Sequence, residues 1–112
     1  MNEMLEQLLS DCASGPGALA CGVCLADRTH HVCSYHEAYT LEAMEKTMLH
    51  LTNAMALLSN NELVTQRLVW SFADGKIYVA TRPDGSLFGL VAMHNENTIE
   101  FFERMVLRFY LI

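Results

Sequence analysis

The sequence has 112 residues, of which 52% are apolar and 18% are charged, so we expect one folded domain over residues 1–112 rather than a disordered chain. Its net charge of -6, with lysine and arginine scattered singly, argues against nucleic-acid binding because no basic stripe is present to neutralise a phosphate backbone. No apolar run approaches the roughly 18–20 residues of a membrane helix, and the acidic beginning is unlike a signal peptide, so we expect a cytoplasmic protein.

The first third of the chain predicts a helix followed by a hairpin. Leucine and methionine recur at helical spacing over residues 2–12, and the Ser-Gly-Pro-Gly sequence that follows cannot continue a helix. The segment ALACGVCLA, residues 18–26, is an uninterrupted apolar run, which is typical of a strand buried on both faces. The segment HVCSYH, residues 31–36, is predicted to return beside it after a turn.

A long helix is predicted after Thr40, which is placed as its N-cap, with Asn60 and Asn61 as its end. Apolar residues follow a heptad spacing along one row, which consists of Leu41, Met44, Met48, Leu51, Met55 and Leu58. A second row beside it is smaller and partly polar, and consists of Ala43, Thr47, His50, Ala54 and Leu57. A helix on one sheet needs only one apolar stripe, so the second row indicates either a wide core-facing surface or a further partner.

The remainder of the chain predicts three strands and a terminal helix. The strands, residues 63–73, 77–82 and 87–94, are separated by Asp-Gly turns, and antiparallel pairing of all three is the simplest arrangement. From residue 98 to the end, the apolar residues Ile99, Phe102, Val106 and Phe109 recur at helical spacing, with charged residues between them, and are predicted to face the sheet.

Three of the four cysteines lie close together in sequence. Cys21 and Cys24 have the spacing of a zinc or dithiol motif, and His31 and Cys33 could complete a ligand set, so a small zinc-binding or redox-responsive protein is the alternative function. Residues three apart on a strand point to opposite faces, however, so Cys21 and Cys24 could share a metal only if a tight turn replaced the strand. We therefore predict neither a metal site nor a cofactor.

Signs of catalysis are also lacking in the sequence. It has no nucleophile elbow and no glycine-rich phosphate loop, and its acidic residues are most simply solvated helix faces. We predict that the protein is not an enzyme and has no catalytic residues. A sensor that encloses a small apolar molecule between sheet and helix is a third hypothesis, although the sequence itself indicates no pocket.

The order of elements, the apolar first strand, the long helix after EAYT and the segment VWSFADGKIYVATRPDGSLFGLVA resemble the roadblock/LC7 family over almost the whole chain. This resemblance implies an α+β fold of order α-β-β-α-β-β-β-α. It also implies a five-stranded antiparallel sheet with the long helix on one face and the two terminal helices on the other. Members of that family dimerise through the long helix and an edge strand, and act as regulators or scaffolds of Ras-like GTPases and as light chains of dynein motors.

The long helix with its two packable rows and the strand over residues 63–73 just after it would present the self-complementary surface that a two-fold interface of this kind needs. We therefore predict a homodimer that binds a small Ras-like GTPase or a scaffold partner. Its interface is predicted to be centred on Met44, Thr47, Met48, Leu51, Ala54 and Met55.

Overall fold

The computed structural model describes residues 3–60 and 66–112 and contains one sheet with helices on both faces. The elements are α1 (Glu3–Asp11), a 3-10 turn (Cys12–Ser14), β1 (Ala18–Cys24), β2 (His30–Ser34), α2 (Leu41–Asn60), β3 (Arg67–Phe72), β4 (Gly75–Thr81), β5 (Leu87–Met93) and α3 (Thr98–Tyr110). The five strands are antiparallel and lie in the order β2-β1-β5-β4-β3. The predicted fold class and element order are confirmed.

The ends of several elements differ from the sequence predictions. The first strand ends at Cys24, because the next residues form the turn in which the Leu25 and Arg28 backbones are hydrogen-bonded (2.8 Å). The strand predicted over 63–73 is described only from Gln66 onward, because its residues 63–65 lie outside the described residues. Asn61, predicted at the end of the long helix, and Asn2, the first residue of the predicted 2–12 helix, also lie outside them.

Two apolar layers hold the helices on the sheet. One layer, under α1 and α3, includes Leu5, Leu8, Cys21, Val23, Phe88, Leu90, Phe102, Val106 and Phe109. The other, under α2, includes Ala20, Cys24, Met44, Met48, Leu51, Val79, Leu87 and Val91. Strand β1 contributes to both layers, which confirms its predicted burial on both faces.

Two glycines allow α2 to approach the sheet closely. Gly22 and Gly89 are directly opposite each other on β1 and β5. A Cβ atom at Gly22 would lie 2.8 Å from Met48 Cγ, and one at Gly89 would lie 3.2 Å from Leu51 Cδ1. The helix begins as predicted at Thr40, whose hydroxyl accepts a hydrogen bond from the Ala43 amide (3.1 Å).

The terminal helix α3 buries most of the predicted residues, but its first turn differs. Phe102, Val106 and Phe109 are buried, whereas Ile99 is 46% exposed and Phe101 is buried in its place. The Phe101 ring packs on the turn after α1, where a Cβ atom at Gly15 would lie 2.5 Å from it.

Within residues 3–60 and 66–112, no helix combines the length and the hydropathy that a membrane span requires.

Candidate functional site

The structure divides the six residues that the sequence analysis placed at a dimer interface. Met44, Met48 and Leu51 are fully buried against the sheet of their own chain, so they cannot themselves add contact area to a partner. Thr47, Ala54 and Met55 are partly exposed. The heptad row is thus a core stripe over most of its length, and only its first residue, Leu41, is strongly exposed.

The second row of α2 lies at the border between core and surface. Ala43, Thr47 and Ala54 are partly buried, and His50 and Leu57 are exposed. The Thr47 hydroxyl donates to the Ala43 carbonyl (2.9 Å) and also contacts the Tyr39 hydroxyl, so it is fixed in orientation. Small and partly polar side chains therefore form the flank of α2 that a second helix could approach.

Strand β3 is an edge of the sheet and has backbone groups that no other described strand pairs. The N–H and C=O of successive residues in a strand point to opposite sides. The Gln66 carbonyl accepts a hydrogen bond from the Thr81 amide (3.0 Å), so Gln66, and with it Leu68, Trp70 and Phe72, faces β4. Arg67, Val69 and Ser71 therefore direct their backbone groups away from the sheet.

Apolar side chains of β3 lie exposed on the same sheet face as α2. Trp70 is opposite Ile77 and Phe72 is opposite Gly75, which in turn is opposite Met93 on β5. Trp70 is 40% exposed, Phe72 39% and Met93 50%. We call the surface formed by Trp70, Phe72 and Met93, together with the partly buried Leu68 and Ile77, the β3 patch. Patches of this kind on a soluble domain mark sites of interaction.

The single charge on β3 is held away from this patch. Arg67 lies on the α3 face, where its Nε donates to Glu103 Oε2 (2.8 Å) and its Nη1 donates to the Tyr110 hydroxyl (2.8 Å). The hydrogen bond to Glu103 raises the pKa of Arg67 above its ordinary value. The rest of the strand has neither a charge nor a proline, the two devices that usually protect a sheet edge from pairing with another chain.

The cysteines lie in two separate layers. Cys21 belongs to the layer under α1 and Cys24 to the layer under α2, which confirms the prediction that they point to opposite faces. Among the residues that the structure describes, no three histidine, cysteine or acidic side chains are grouped so that they could hold a metal ion. As placed, the candidate set Cys21, Cys24, His31 and Cys33 cannot share one ion.

The thiols under α1 are in an environment that keeps them protonated. Cys21 contacts the Tyr35 hydroxyl (2.8 Å), and that hydroxyl donates to the Leu9 carbonyl. A hydrogen bond with Cys12, together with burial, raises the pKa of Cys21, and burial raises the pKa of Cys33. Because the thiolate is the reactive form of cysteine, this arrangement indicates a packing role for these side chains.

An open groove of about 710 Å³ lies at the C-terminal end of α2 and is the place where the ligand-sensor hypothesis would put a molecule. Its lining includes Cys24, Leu25, Arg28, Thr52, Met55, Gln66, Arg82, Leu87 and Tyr110. Throughout the described part of the chain, every buried side-chain nitrogen or oxygen has a hydrogen-bond partner. The groove therefore presents no unsatisfied buried group that would select a ligand.

Trp70 and Phe72 are not among the six residues predicted at the interface. Their alternation with polar neighbours predicts only that they share one face of a strand. The signal that distinguishes them is the absence of charge and proline from residues 68–73, which is unusual for a strand whose large side chains remain exposed.

No family model matches the sequence, and no curated protein matches it. Solved structures do match the fold. MglB of Myxococcus xanthus superposes with a TM-score of 0.72 at 7% identity, covering 99% of this chain and 90% of that chain. The gliding protein MglB of Thermus thermophilus gives a TM-score of 0.69 at 14% identity, covering 97% of this chain and 87% of that one.

A roadblock/LC7 domain from Streptomyces avermitilis is also similar, with a TM-score of 0.63 at 13% identity over 91% of this chain and 88% of that domain. At these identities the likeness shows the fold. The chain thus has the roadblock/LC7 fold that its sequence pattern resembles.

Proposed function

We propose that this chain, which has the roadblock/LC7 fold, is a non-enzymatic homodimeric module that binds or regulates a small Ras-like GTPase or holds a larger complex together. The observation that carries the proposal is the edge strand β3, with its outward backbone groups and the exposed β3 patch beside it. A surface of this kind is suited to association rather than to chemistry.

The proposed dimer joins two copies of β3 into a continuous sheet, with the second row of α2 beside the join. Thr47, Ala54 and Met55 remain interface residues in this proposal, because they are partly exposed. In this proposal, Met44, Met48 and Leu51 pack between α2 and the sheet of their own chain and hold the helix in position. Support for a second copy as the partner comes from the strand itself, because an antiparallel edge can pair with an identical edge about a two-fold axis.

The proposed action on a GTPase is binding that biases its switch segments, not insertion of an arginine into its active site. Three of the five arginines are held in ion pairs within the chain, namely Arg67 with Glu103, Arg82 with Asp84 and Arg108 with Asp11, and Arg104 lies over the Phe101 ring. Extending any of these four side chains would break that contact. The roadblock/LC7 resemblance supports a Ras-like GTPase as the class of partner.

The experiment that tests this function is a titration of the purified protein with Ras-like GTPases from the same organism, each loaded either with GDP or with a non-hydrolysable GTP analogue. We expect one GTPase to bind with an affinity that depends on its nucleotide, because a regulator must distinguish the two switch conformations. Equal weak binding of every GTPase in both nucleotide states would contradict GTPase regulation. The protein without a GTPase, incubated with GTP, is the control for activity of its own.

A further inference from the structure

We infer that the two copies of β3 pair in one register, with the two-fold axis at Trp70. In that register Trp70 faces Trp70 of the second copy, and Leu68 faces Phe72 of the second copy. The inference rests on the proposed homodimer and specifies how its sheet is joined.

The direction of the backbone groups limits the possible registers. A two-fold axis perpendicular to the sheet makes the two edges antiparallel and keeps both α2 helices on one face. The outward groups of Arg67, Val69 and Ser71 must meet outward groups of the second copy. These outward groups lie at every second position, so the axis must lie level with a residue and not between two residues. Axes at positions 69 and 70 pair the largest number of β3 residues with residues of the second copy.

With the axis at Val69, the ladder would pair Val69 with itself and Arg67 with Ser71. On the α2 face, Trp70 would then lie opposite Leu68, and Phe72 would lie opposite the polar Gln66. The Trp70 and Phe72 rings of both copies would then lie in the interface, but each Phe72 ring would face the amide side chain of Gln66 of the second copy.

With the axis at Trp70, the ladder would pair Val69 with Ser71 twice, and Arg67 would meet Ala73 just beyond the strand. The strand positions on the α2 face would then match apolar side chains with one another, and the polar Gln66 would lie opposite Asp74 in the turn beyond the strand. An axis at Val69 would pair Val69, which is 44% exposed on the α3 face, with itself, but the Trp70 and Phe72 rings, at 40% and 39%, present the larger apolar surface, so the axis at Trp70 is favoured.

Charge favours a second copy as the occupant of this edge. The chain carries a net charge of -6, so two copies repel each other over most of their surface. Residues 68–73 have no charge, and Arg67 is paired with Glu103 on the other face. A strongly charged partner would find no opposite charge on the patch, whereas an identical uncharged strand matches it.

Circular dichroism of the unaltered protein tests whether the two β3 edges bring their tryptophans together, because the chain has one tryptophan. An axis at Val69 would leave the two Trp70 side chains diagonal to each other, about 7–8 Å apart, and would also couple them, so the choice between the two registers rests on disulfide trapping. Two indole rings facing each other across the axis produce an exciton couplet in the far ultraviolet. We expect a couplet in the dimer that disappears on dilution to monomer and is absent in Trp70→Phe, a variant that retains an aromatic ring at the axis. A dimer confirmed by sedimentation but without a concentration-dependent couplet would overturn the register and leave the dimer intact.

Disulfide trapping gives a second test that keeps Trp70 in place. In the inferred register, Val69 and Ser71 of different copies form a hydrogen-bonded pair with Cα atoms about 5.5 Å apart, a distance that a disulfide spans. We expect the double variant Val69→Cys/Ser71→Cys to cross-link on mild oxidation and each single variant not to do so. Peptide mapping that joins position 69 to position 71 supports the register.

A bond joining position 69 to position 69 would place the axis at Val69 and overturn the inference. A protein that sediments as a monomer would instead contradict the proposed dimer, and the register with it. The two failures are therefore distinguishable.

Discussion

At the scale of single residues, Arg82 shows how one side chain connects separate parts of the fold. Its Nη1 donates to the carbonyls of Phe109 (2.9 Å) and Ile112 (3.0 Å), which lie at the end of α3. Its Nη2 contacts Asp84 Oδ2 (2.7 Å) in the turn between β4 and β5. A partly buried cation thus binds one carbonyl in the last turn of α3 and one just beyond the helix, where the negative end of the helix dipole favours a positive charge.

Asp84 is predicted to make the stability of the fold depend on pH. The hydrogen bond from Arg82 lowers the pKa of Asp84 below its ordinary value of 3.8, so the ionised carboxylate stabilises the folded state. This stabilisation is present above about pH 4 and is lost as the pH falls through the lowered pKa. Because the Asp84 side chain is 47% exposed, its pair with Arg82 is worth at most about 1 kcal/mol.

Urea unfolding of the parent protein and of Asp84→Asn between neutral and strongly acidic pH would measure this contribution. The asparagine can still accept the hydrogen bond from the Ser86 amide, but its Nδ2 cannot accept from Arg82 as Oδ2 does, so the comparison measures the ion pair together with its hydrogen bonds. We expect the parent to be more stable at pH 7 and the difference to vanish in strong acid. A difference that is independent of pH would show that the charge of Asp84 does not stabilise the fold.

At the scale of elements, α2 has two sides with different roles. The side on the sheet is closely packed because Gly22 and Gly89 lie beneath it, and the opposite side is exposed. The heptad spacing in the sequence identified the packed side correctly as a row, but it could not show whether that row faces the sheet or a second helix.

Neighbouring residues of α2 are predicted to differ strongly in their effect on stability. Met48 is fully buried and Leu49 is 52% exposed. We expect Met48→Ala to lower the free energy of unfolding by about 2–5 kcal/mol, because it leaves a cavity against the sheet. Leu49→Ala is the matched control and should change it by less than about 0.5 kcal/mol. Comparable losses in denaturant unfolding would mean that α2 is rotated from the position described here.

The β1–β2 hairpin and the 3-10 turn before it are predicted to protect their thiols from reagents. Cys12, Cys21 and Cys24 are buried, and Cys33 is partly exposed. We expect a thiol reagent to modify only Cys33 in the native protein, more slowly than a free thiol because burial raises its pKa, and all four cysteines after denaturation. Rapid modification of Cys21 and Cys24 together, or its suppression by zinc, would favour the alternative of a metal- or redox-responsive protein.

Local chemistry explains which elements could be predicted from the sequence. Thr40, the turns containing Gly75 and Gly85, and the apolar run of β1 act through neighbours in the chain, so the helix start and the strands were predictable. The β3 patch was not, because exposure of Trp70 depends on how far α2 extends over the sheet. That distance is a tertiary property, and a pattern of alternating residues does not contain it.

At the scale of the whole molecule, one sheet face is covered by α1 and α3 except at the β3 edge, where Val69 is 44% exposed, and the other is covered by α2 only in part. The exposed remainder of the α2 face is the β3 patch, which adjoins an edge whose outward backbone groups are paired by no described strand. A second copy would cover the patch and extend the sheet at the same time. Dimerisation therefore accounts for both features with one contact.

Sedimentation velocity of the parent protein, Ser71→Lys and Ser10→Lys at micromolar concentration tests this account most directly. Ser71 is on the β3 edge and Ser10 is an exposed residue of α1, so the two variants add the same charge at different places. We predict that the parent and Ser10→Lys sediment as dimers and that Ser71→Lys sediments as a monomer, because a lysine opposes strand pairing at an edge. A monomeric parent, or a dimer that persists in Ser71→Lys, would contradict association through β3.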